Sequence, residues 1–437
     1  MANVTVDQAK LVLNSFAAIF QNNLTSAELV TWRKFDNEMN DRNGLTVVEQ
    51  VVPRYNVTRN TDGVAQLTNV QDTVFGSEQY RIRDVFGSSM GWGDFVKIRD
   101  IGAARESEAL KAAALNLAEQ IDSYILNYAV NASNNWLGTA GSAVQDFGDV
   151  ASGYTRLKEE GVEDTDLRAV LTYGDKQALG ENVVYASGAG NASLPDIGAG
   201  VYRQGWEGSI AGIPTLFTQQ LGVITAGTHG TSAVAGATQN ENYQDVAISP
   251  APGQYLTQLL DIDVGSGTET VNDGEVFTIT GVYAYDNRAH MALDHLQEFR
   301  VVGGPYTATG GLVTVRIFPA IVVPGTGATP AIQGVNSAHA TVSAVPGASA
   351  SITWKIASGA TVKPRAILNK NAIVVNTADL IMPATGIGSR KSLTKVPLSV
   401  RMWQNSVFGT GEHQVRFDVA LTANVVDRRR IARINGT

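Results

Sequence analysis

Gly87-Ser88-Ser89-Met90-Gly91 spells the G-x-S-x-G string in which a serine hydroxyl attacks an acyl carbon. That chemistry needs a strand before the serine and a helix after it, so that a sharp elbow exposes the nucleophile. Here Tyr80 to Phe86 reads as a strand, but Trp92 to Ile98 alternates like another strand. The string is therefore expected to be a β-turn, and Ser89 is not assigned as a nucleophile. Five histidines are present: His229, His290, His295, His339 and His413. His290 and His295 stand five apart, off one helical face, so they do not form the i, i+4 zinc pair of a metalloprotease. Asp261-Ile262-Asp263-Val264-Gly265 begins like a calcium loop, but Ser266 stands where its glycine belongs and Asn272 where its glutamate belongs. No G-x-x-x-x-G-K-[ST] string offers a phosphate cradle. The chain has no cysteine, which removes disulfides, thiolate catalysis and Cys-ligated zinc. No catalytic, cofactor-binding or metal-binding residue is assigned, and no cofactor is expected.

The balance of residues points away from several binding roles. The net charge is −8, whereas a protein built to grip nucleic acid carries a basic footprint. Arg428-Arg429-Arg430 is the exception, expected as a solvated tail or as salt bridges between subunits ahead of a nucleic-acid contact. Charged residues make up 17%, a low share that suits a surface covered by copies of the same chain. Met1 to Lys10 lacks the basic and apolar regions of a signal peptide, and no apolar run approaches the roughly 18 residues of a membrane span. No membrane partner is expected.

The elements that would position any site change character along the chain. Thr5-Val6-Asp7-Gln8 resembles a capping box ahead of Val12, Phe16, Ile19 and Phe20 on one helical face. Thr25-Ser26-Ala27-Glu28 predicts a second helix carrying Leu29, Trp32, Phe35 and Met39. Residues 45–75 are rich in β-formers around Asn60-Thr61-Asp62-Gly63, where Asp-Gly signals a hairpin turn. Arms of about 12 residues would reach roughly 40 Å. Neither arm has a clean apolar face, so the ribbon must lie on its own domain or on a neighbour.

Residues 103–130 carry the strongest helical stripe: Leu110, Ala114, Leu117, Ile121, Tyr124 and Tyr128. Mixed α and β follow to about 221: helix Val150 to Glu160, strand Leu167 to Tyr173, helix Lys176 to Val183, and a strand after Gly208 to Pro214. Residues 223–362 turn β-rich, with strands at Val276 to Tyr285, Phe299 to Val302, Leu312 to Phe318 and Ala340 to Ile356, a turn at Asn272-Asp273-Gly274, and loops at 226–252 and 322–337 that read as flexible. After 363 the mixed pattern returns, with long strands Ser399 to Val407 and Gln414 to Val425. A β module thus interrupts an α+β domain.

This order resembles the HK-ninety-seven capsid fold, and the interruption narrows the resemblance to coat proteins of the P-twenty-two type from short-tailed phages. Asn272-Asp273-Gly274-Glu275-Val276-Phe277-Thr278-Ile279-Thr280-Gly281-Val282 is similar to a barrel strand of that family. Phe299-Arg300-Val301-Val302 and Leu312-Val313-Thr314-Val315 resemble the strands after it. The resemblance implies an α+β capsid fold with an inserted antiparallel β-barrel. Its parts would be an N-terminal arm at 1–43, an E-loop hairpin at 44–79, and a P-domain at 80–140 and 411–437 with its spine helix at 103–130. An A-domain would occupy 141–222 and 363–410, and the inserted barrel 223–362. It implies a major capsid protein, not an enzyme, that forms pentamers and hexamers of an icosahedral virion head around packaged DNA, assembled in the host cytoplasm. Further partners would be a scaffolding protein, a portal and possibly a decoration protein, with DNA held without sequence specificity. Contacts between subunits are expected at Tyr55, Arg59, Asp62, Gly63 and Leu67 of the hairpin and at Trp32 and Phe35. The alternatives are a host-encoded nanocompartment shell of the same fold and a secreted, Gly/Thr-rich β adhesin. The inserted module argues against the first, and the long helix against the second.

Overall fold

The computed structural model describes residues 2–39, 45–51, 53–55, 72–92, 108–163, 165–188, 209–210, 212–248, 251, 253–265, 267–383, 387–406 and 413–435. The chain divides into two compact units: Met1–Val47, Arg81–Tyr128 and Lys370–Val426 form one, and Val48–Tyr80, Ala129–Asn369 and Asp427–Thr437 the other.

The first unit is built on a six-stranded sheet. Its order runs Thr31–Met39, Ile373–Leu380, His413–Val425, Ser399–Ser406, Ile387–Ser392, and Val85–Trp92 also pairs with His413–Val425. Strand His413–Val425 explains the layering. Val415, Phe417, Val419, Leu421, Ala423 and Val425 alternate along it and are all buried, as the two-residue period of a strand requires. Helix α1 (Ala2–Asn23) covers this sheet with Leu13, Phe16, Ala17 and Phe20, and Phe16 stacks on Phe417 with ring centroids 3.9 Å apart. The helix runs through Thr5, so the capping box expected there does not start it.

The second helix expected after Thr25 is cut short. Helix α2 (Ser26–Leu29) is followed by the strand Thr31–Met39, parallel to Ile373–Leu380 with Thr31 opposite Val374 and Phe35 opposite Ala378. The helical spacing of Leu29, Trp32 and Phe35 is overridden by a partner strand more than 300 residues away, and a register shift between Phe35 and Glu38 disguises the two-residue period. Helix α3 (Glu108–Ala132) agrees with the long helix expected over 103–130, of which residues 103–107 lie outside the described residues. Leu110, Ala114, Leu117 and Ile121 are buried as the stripe predicts, and Ile125 extends it.

The second unit holds another six-stranded sheet and the barrel. The sheet runs Asn135–Leu137, Ile431–Ile434, Arg365–Asn369, Leu167–Leu171, Ile213–Phe217, Ser209–Ile210. Helix α4 (Phe147–Glu159) packs on it, started by a capping box between Asp146 and Asp149. Gly153 of this helix faces Ile367 and Ile434, and a Cβ there would lie 2.7 Å and 2.8 Å from their methyl carbons. Gly153→Ala would gain about 0.5–1 kcal/mol of helix propensity. Overpacking at such distances costs about 1–3 kcal/mol, so a net loss of stability is expected in urea unfolding. Helix α5 (Tyr173–Gly188) follows strand Leu167–Leu171.

The barrel closes through Ser232–Val234, Gln258–Asp263, Leu312–Phe318, Met291–Val301, Val276–Asp286 and Ser351–Trp354, all paired antiparallel. Leu260, Ile262, Phe277, Ile279, Phe299, Val315 and Ile317 fill it. The calcium-like Asp261 and Asp263 thus sit on a barrel strand. Of the strand expected over Ala340 to Ile356, only Ser351–Trp354 forms, with an isolated bridge at Val342. The flexible loops expected at 226–252 and 322–337 carry structure instead: strand Ser232–Val234, α6 (Tyr243–Ala247) and α7 (Pro330–Ala338). Thr329 caps α7 through the Ile332 amide, and Pro330 suits the first helical position.

Candidate functional site

The chemistry suggested by single motifs does not assemble. Gly87 to Gly91 lies inside the strand Val85–Trp92 and not at a turn, with Ser89 opposite Arg416. The backbone there is extended and paired, so no elbow presents Ser89. Among the described residues no three His, Asp or Glu side chains gather as metal ligands. Among the same residues no helix is long and apolar enough to cross a membrane.

The described residues instead show the two strands that flank the segment expected as a hairpin. Strand Leu45–Val51 pairs with Gly76–Ile82 in a two-stranded sheet. Arg59, Asp62, Gly63 and Leu67 lie outside the described residues. Tyr55 is exposed, and its hydroxyl is 3.3 Å from that of Thr73 across the root. Val48 and Phe75 are also exposed. Trp32 and Phe35 are half-buried: the Trp32 indole N–H donates to the Ser26 carbonyl at 3.4 Å, and Phe35 packs against Ala378, Leu380 and Ile82.

Within the second unit, Arg54 and Glu78 meet aromatic and titratable groups. The Arg54 amide donates to His339 Nε2 at 3.2 Å, and the His339 ring stacks on Tyr243 at 3.7 Å. Burial, with the nearby Arg54 charge, pushes His339 down to about 4, so it stays the neutral acceptor that this hydrogen bond requires. Glu78 on the returning strand is 5% exposed. Burial pushes it up to about 7, the Glu49 and Asp427 carboxylates adding to the rise and Arg428 opposing it.

The sign of the Glu78 effect is definite. The folded chain holds this proton between about 4.5 and 7 while the unfolded chain has lost it, so stability contributed by protonated Glu78 is lost as pH rises through that window. Glu78→Gln should therefore be more stable than the parent at pH 8, and the gap should close as pH falls toward 4.5. A gap of equal size at both ends of a denaturation series would refute this.

Several charged side chains that a sequence leaves without visible partners are buried in the fold. Glu298, on barrel strand Met291–Val301, accepts from the Trp136 amide at 2.8 Å, Lys355 Nζ at 2.8 Å and Arg156 Nη1 at 3.3 Å. Arg433 has no exposed surface; it donates to the carbonyls of Gly274, Asn131 and Ser133 and lies over the Trp136 ring. Arg428 is no solvated tail: it is buried, donates to the Gly253 carbonyl at 2.9 Å and lies over the Phe318 ring. Arg429 and Arg430 both pair with Asp427. The arginine run was misread because its partners stand far away in the chain or immediately before it.

The family model "P22 coat protein - gene protein 5" matches residues 1–431. A search of curated proteins finds no match. Among solved structures, the capsid of the cyanophage P-SCSP1u is similar at 9% identity and TM-score 0.42, covering 93% of this chain and 86% of that one. The capsid of Ralstonia phage GP4 is similar at 8% identity and TM-score 0.41, covering 95% and 88%. The CUS-3 coat protein I-domain is similar at 23% identity and TM-score 0.20, covering 29% of this chain and 96% of that one. It is the family match over nearly the whole length that carries the assignment: the chain belongs to the P22 coat protein family, and it is a phage major capsid protein of the virion head shell.

Proposed function

We propose that this coat subunit assembles as pentamers and hexamers through its hairpin, residues 44–79, laid across a neighbouring subunit. The observation that carries this reading is the apolar surface left at the hairpin root. Val48, Tyr55 and Phe75 are each more than half exposed, and a two-stranded ribbon of this kind is marginal in water without a surface to lie on. Repeated around a closed symmetric shell, a modest contact of this kind becomes collectively strong while each copy stays reversible. Residues 1–43 act as the N-terminal arm, 80–140 and 411–437 as the P-domain, 141–222 and 363–410 as the A-domain, and 223–362 as the inserted barrel. Tyr55, Arg59, Asp62, Gly63 and Leu67 supply contacts, with Trp32 and Phe35 supporting them.

A scaffolding protein guides curvature, a portal occupies a vertex, a decoration protein binds outside, and packaged DNA lies inside without being read. The subunit works structurally and turns over no substrate. Electron microscopy of the purified protein, with and without its neighbouring gene products, tests the reading: closed particles are expected, and monomers alone under every condition would overturn it. Ser89→Ala should give the same particles in the same yield, because Ser89 is one residue of a paired strand.

A further inference from the structure

We propose that a lobe of the inserted module, made of α6, α7, Tyr255 and His339, is the seat that fixes the direction of the hairpin arm. The insertion thereby acts on assembly geometry and not on monomer stability alone. This rests on the reading of residues 44–79 as an arm that reaches a neighbour.

Both strands of the arm are held at their roots by this one lobe. On the outgoing side, the Arg54 amide donates to His339 Nε2 at 3.2 Å. On the returning side, Val74 is buried with Tyr243, Val246, Ala247, Ala320, Val322 and Val335. Ser77 forms a parallel bridge to Ile248, and the Gly253 amide donates to the Gln79 carbonyl at 3.1 Å. Gly76 lies so close that a Cβ would stand 2.8 Å from the Tyr255 ring and 3.3 Å from the Tyr243 hydroxyl. Only glycine lets the strand pass at this distance.

The lobe is cross-linked by its own hydrogen bonds and ring stacking. The two tyrosine hydroxyls are 3.0 Å apart, and His339 stacks on Tyr243. Asn336, fully buried, accepts from the Tyr243 amide at 2.8 Å and donates to Asn242 Oδ1 and the Thr326 carbonyl. It is also coupled to the barrel through one extended segment. Ala320 and Val322 face the lobe, whereas Ile321 and Val323 face the barrel core. The alternation means the lobe cannot rotate without disturbing the barrel wall. Yet the residues that touch the arm are not among those that fill the barrel, so the contact with the arm is separable from barrel folding.

The lever makes the seat consequential. If the arm has the roughly 40 Å reach expected from its sequence, a tilt of about 10° at the root would move its far end by about 7 Å, more than the spacing between paired strands. A loosened root would therefore scatter the contact made at the far end, and with it the curvature of the shell.

The test uses the full chain with His339→Ala, His339→Gln and Gly76→Val. Hydrogen exchange on the unassembled protein is expected to show protection at residue 54 and at residues 74–79 falling about five- to tenfold in His339→Ala and Gly76→Val. Barrel strands 276–286 and 312–318 should keep theirs. His339→Gln offers an amide oxygen to the same N–H and should recover most of the protection at residue 54. Assembled under parental conditions, the first two variants should give particles of mixed diameter or open sheets. Unchanged protection at the root in both variants would overturn the seat, as would lost protection with shells of parental diameter. If the parental chain itself forms no particles, the coat reading fails, and the exchange result still decides whether the lobe holds the arm.

Discussion

Glu298→Ala is expected to destabilise the monomer by about 3–5 kcal/mol, the scale for removing one partner from a buried ion pair. The carboxylate is almost fully enclosed and answers three donors at once: Lys355 Nζ, Arg156 Nη1 and the Trp136 amide. Truncation leaves two cations facing each other and one buried N–H without an acceptor. Arg156 has a second carboxylate in Glu159 at 3.4 Å, but that contact is half exposed and worth far less. Glu298→Gln should cost less, because its amide oxygen can still accept from Trp136 while the charge is lost. Urea unfolding followed by tryptophan fluorescence ranks the three proteins; equal midpoints would show that the cluster is solvated and contributes little. The expected failure is local in origin yet wide in effect. Glu298 lies on a barrel strand, whereas Trp136 and Arg156 belong to the neighbouring sheet and helix.

The cluster also shows where the sequence was legible. Strands Val276–Asp286 and Leu312–Phe318 announced themselves by β-branched runs and by the Asn272-Asp273-Gly274 turn. Helix α3 announced itself by its stripe, and helices α4 and α5 by short periodic segments. These signals are local, carried by residues within one element. What escaped is non-local. Strand Thr31–Met39 needs Ile373–Leu380 beside it, and without that partner its apolar spacing reads as helix. Gly87 to Gly91 looks like a turn until His413–Val425 is laid alongside. Glu298, Arg433 and Arg428 look like surface charges, because a sequence prints the charge and not its partners. The arm followed the same division. Its turn residues 60–63 lie outside the described residues, and Gly76, His339 and Tyr243 gain meaning only when 54, 76 and 339 are brought together.

Deleting residues 56–66 is expected to leave a folded monomer that assembles poorly. The deletion removes Val57, Val64, Arg59, Asp62 and Gly63 and spares the root groups at 53–55 and 72–82. The described residues already form the clusters that fill the barrel and pack the two sheets, so circular dichroism and the unfolding midpoint should stay close to those of the parent. Assembly should respond differently. If the tip buries one or two aliphatic side chains on a neighbour, each contact loses about 2–3 kcal/mol. That raises the concentration needed for shells by about 30- to 150-fold. The loss acts at every copy of the contact, so closure is expected to fail cooperatively and not in proportion. Sedimentation across a concentration series, with microscopy of the pelleted material, separates the outcomes. Parental shells at parental concentration would mean the segment does not bridge subunits. An unfolded monomer would mean that it belongs to its own core. Assembly restored only at much higher concentration is the result that a reaching arm requires, because such an arm would be anchored at its root in the parent chain and would gain a partner for its tip only from a second copy.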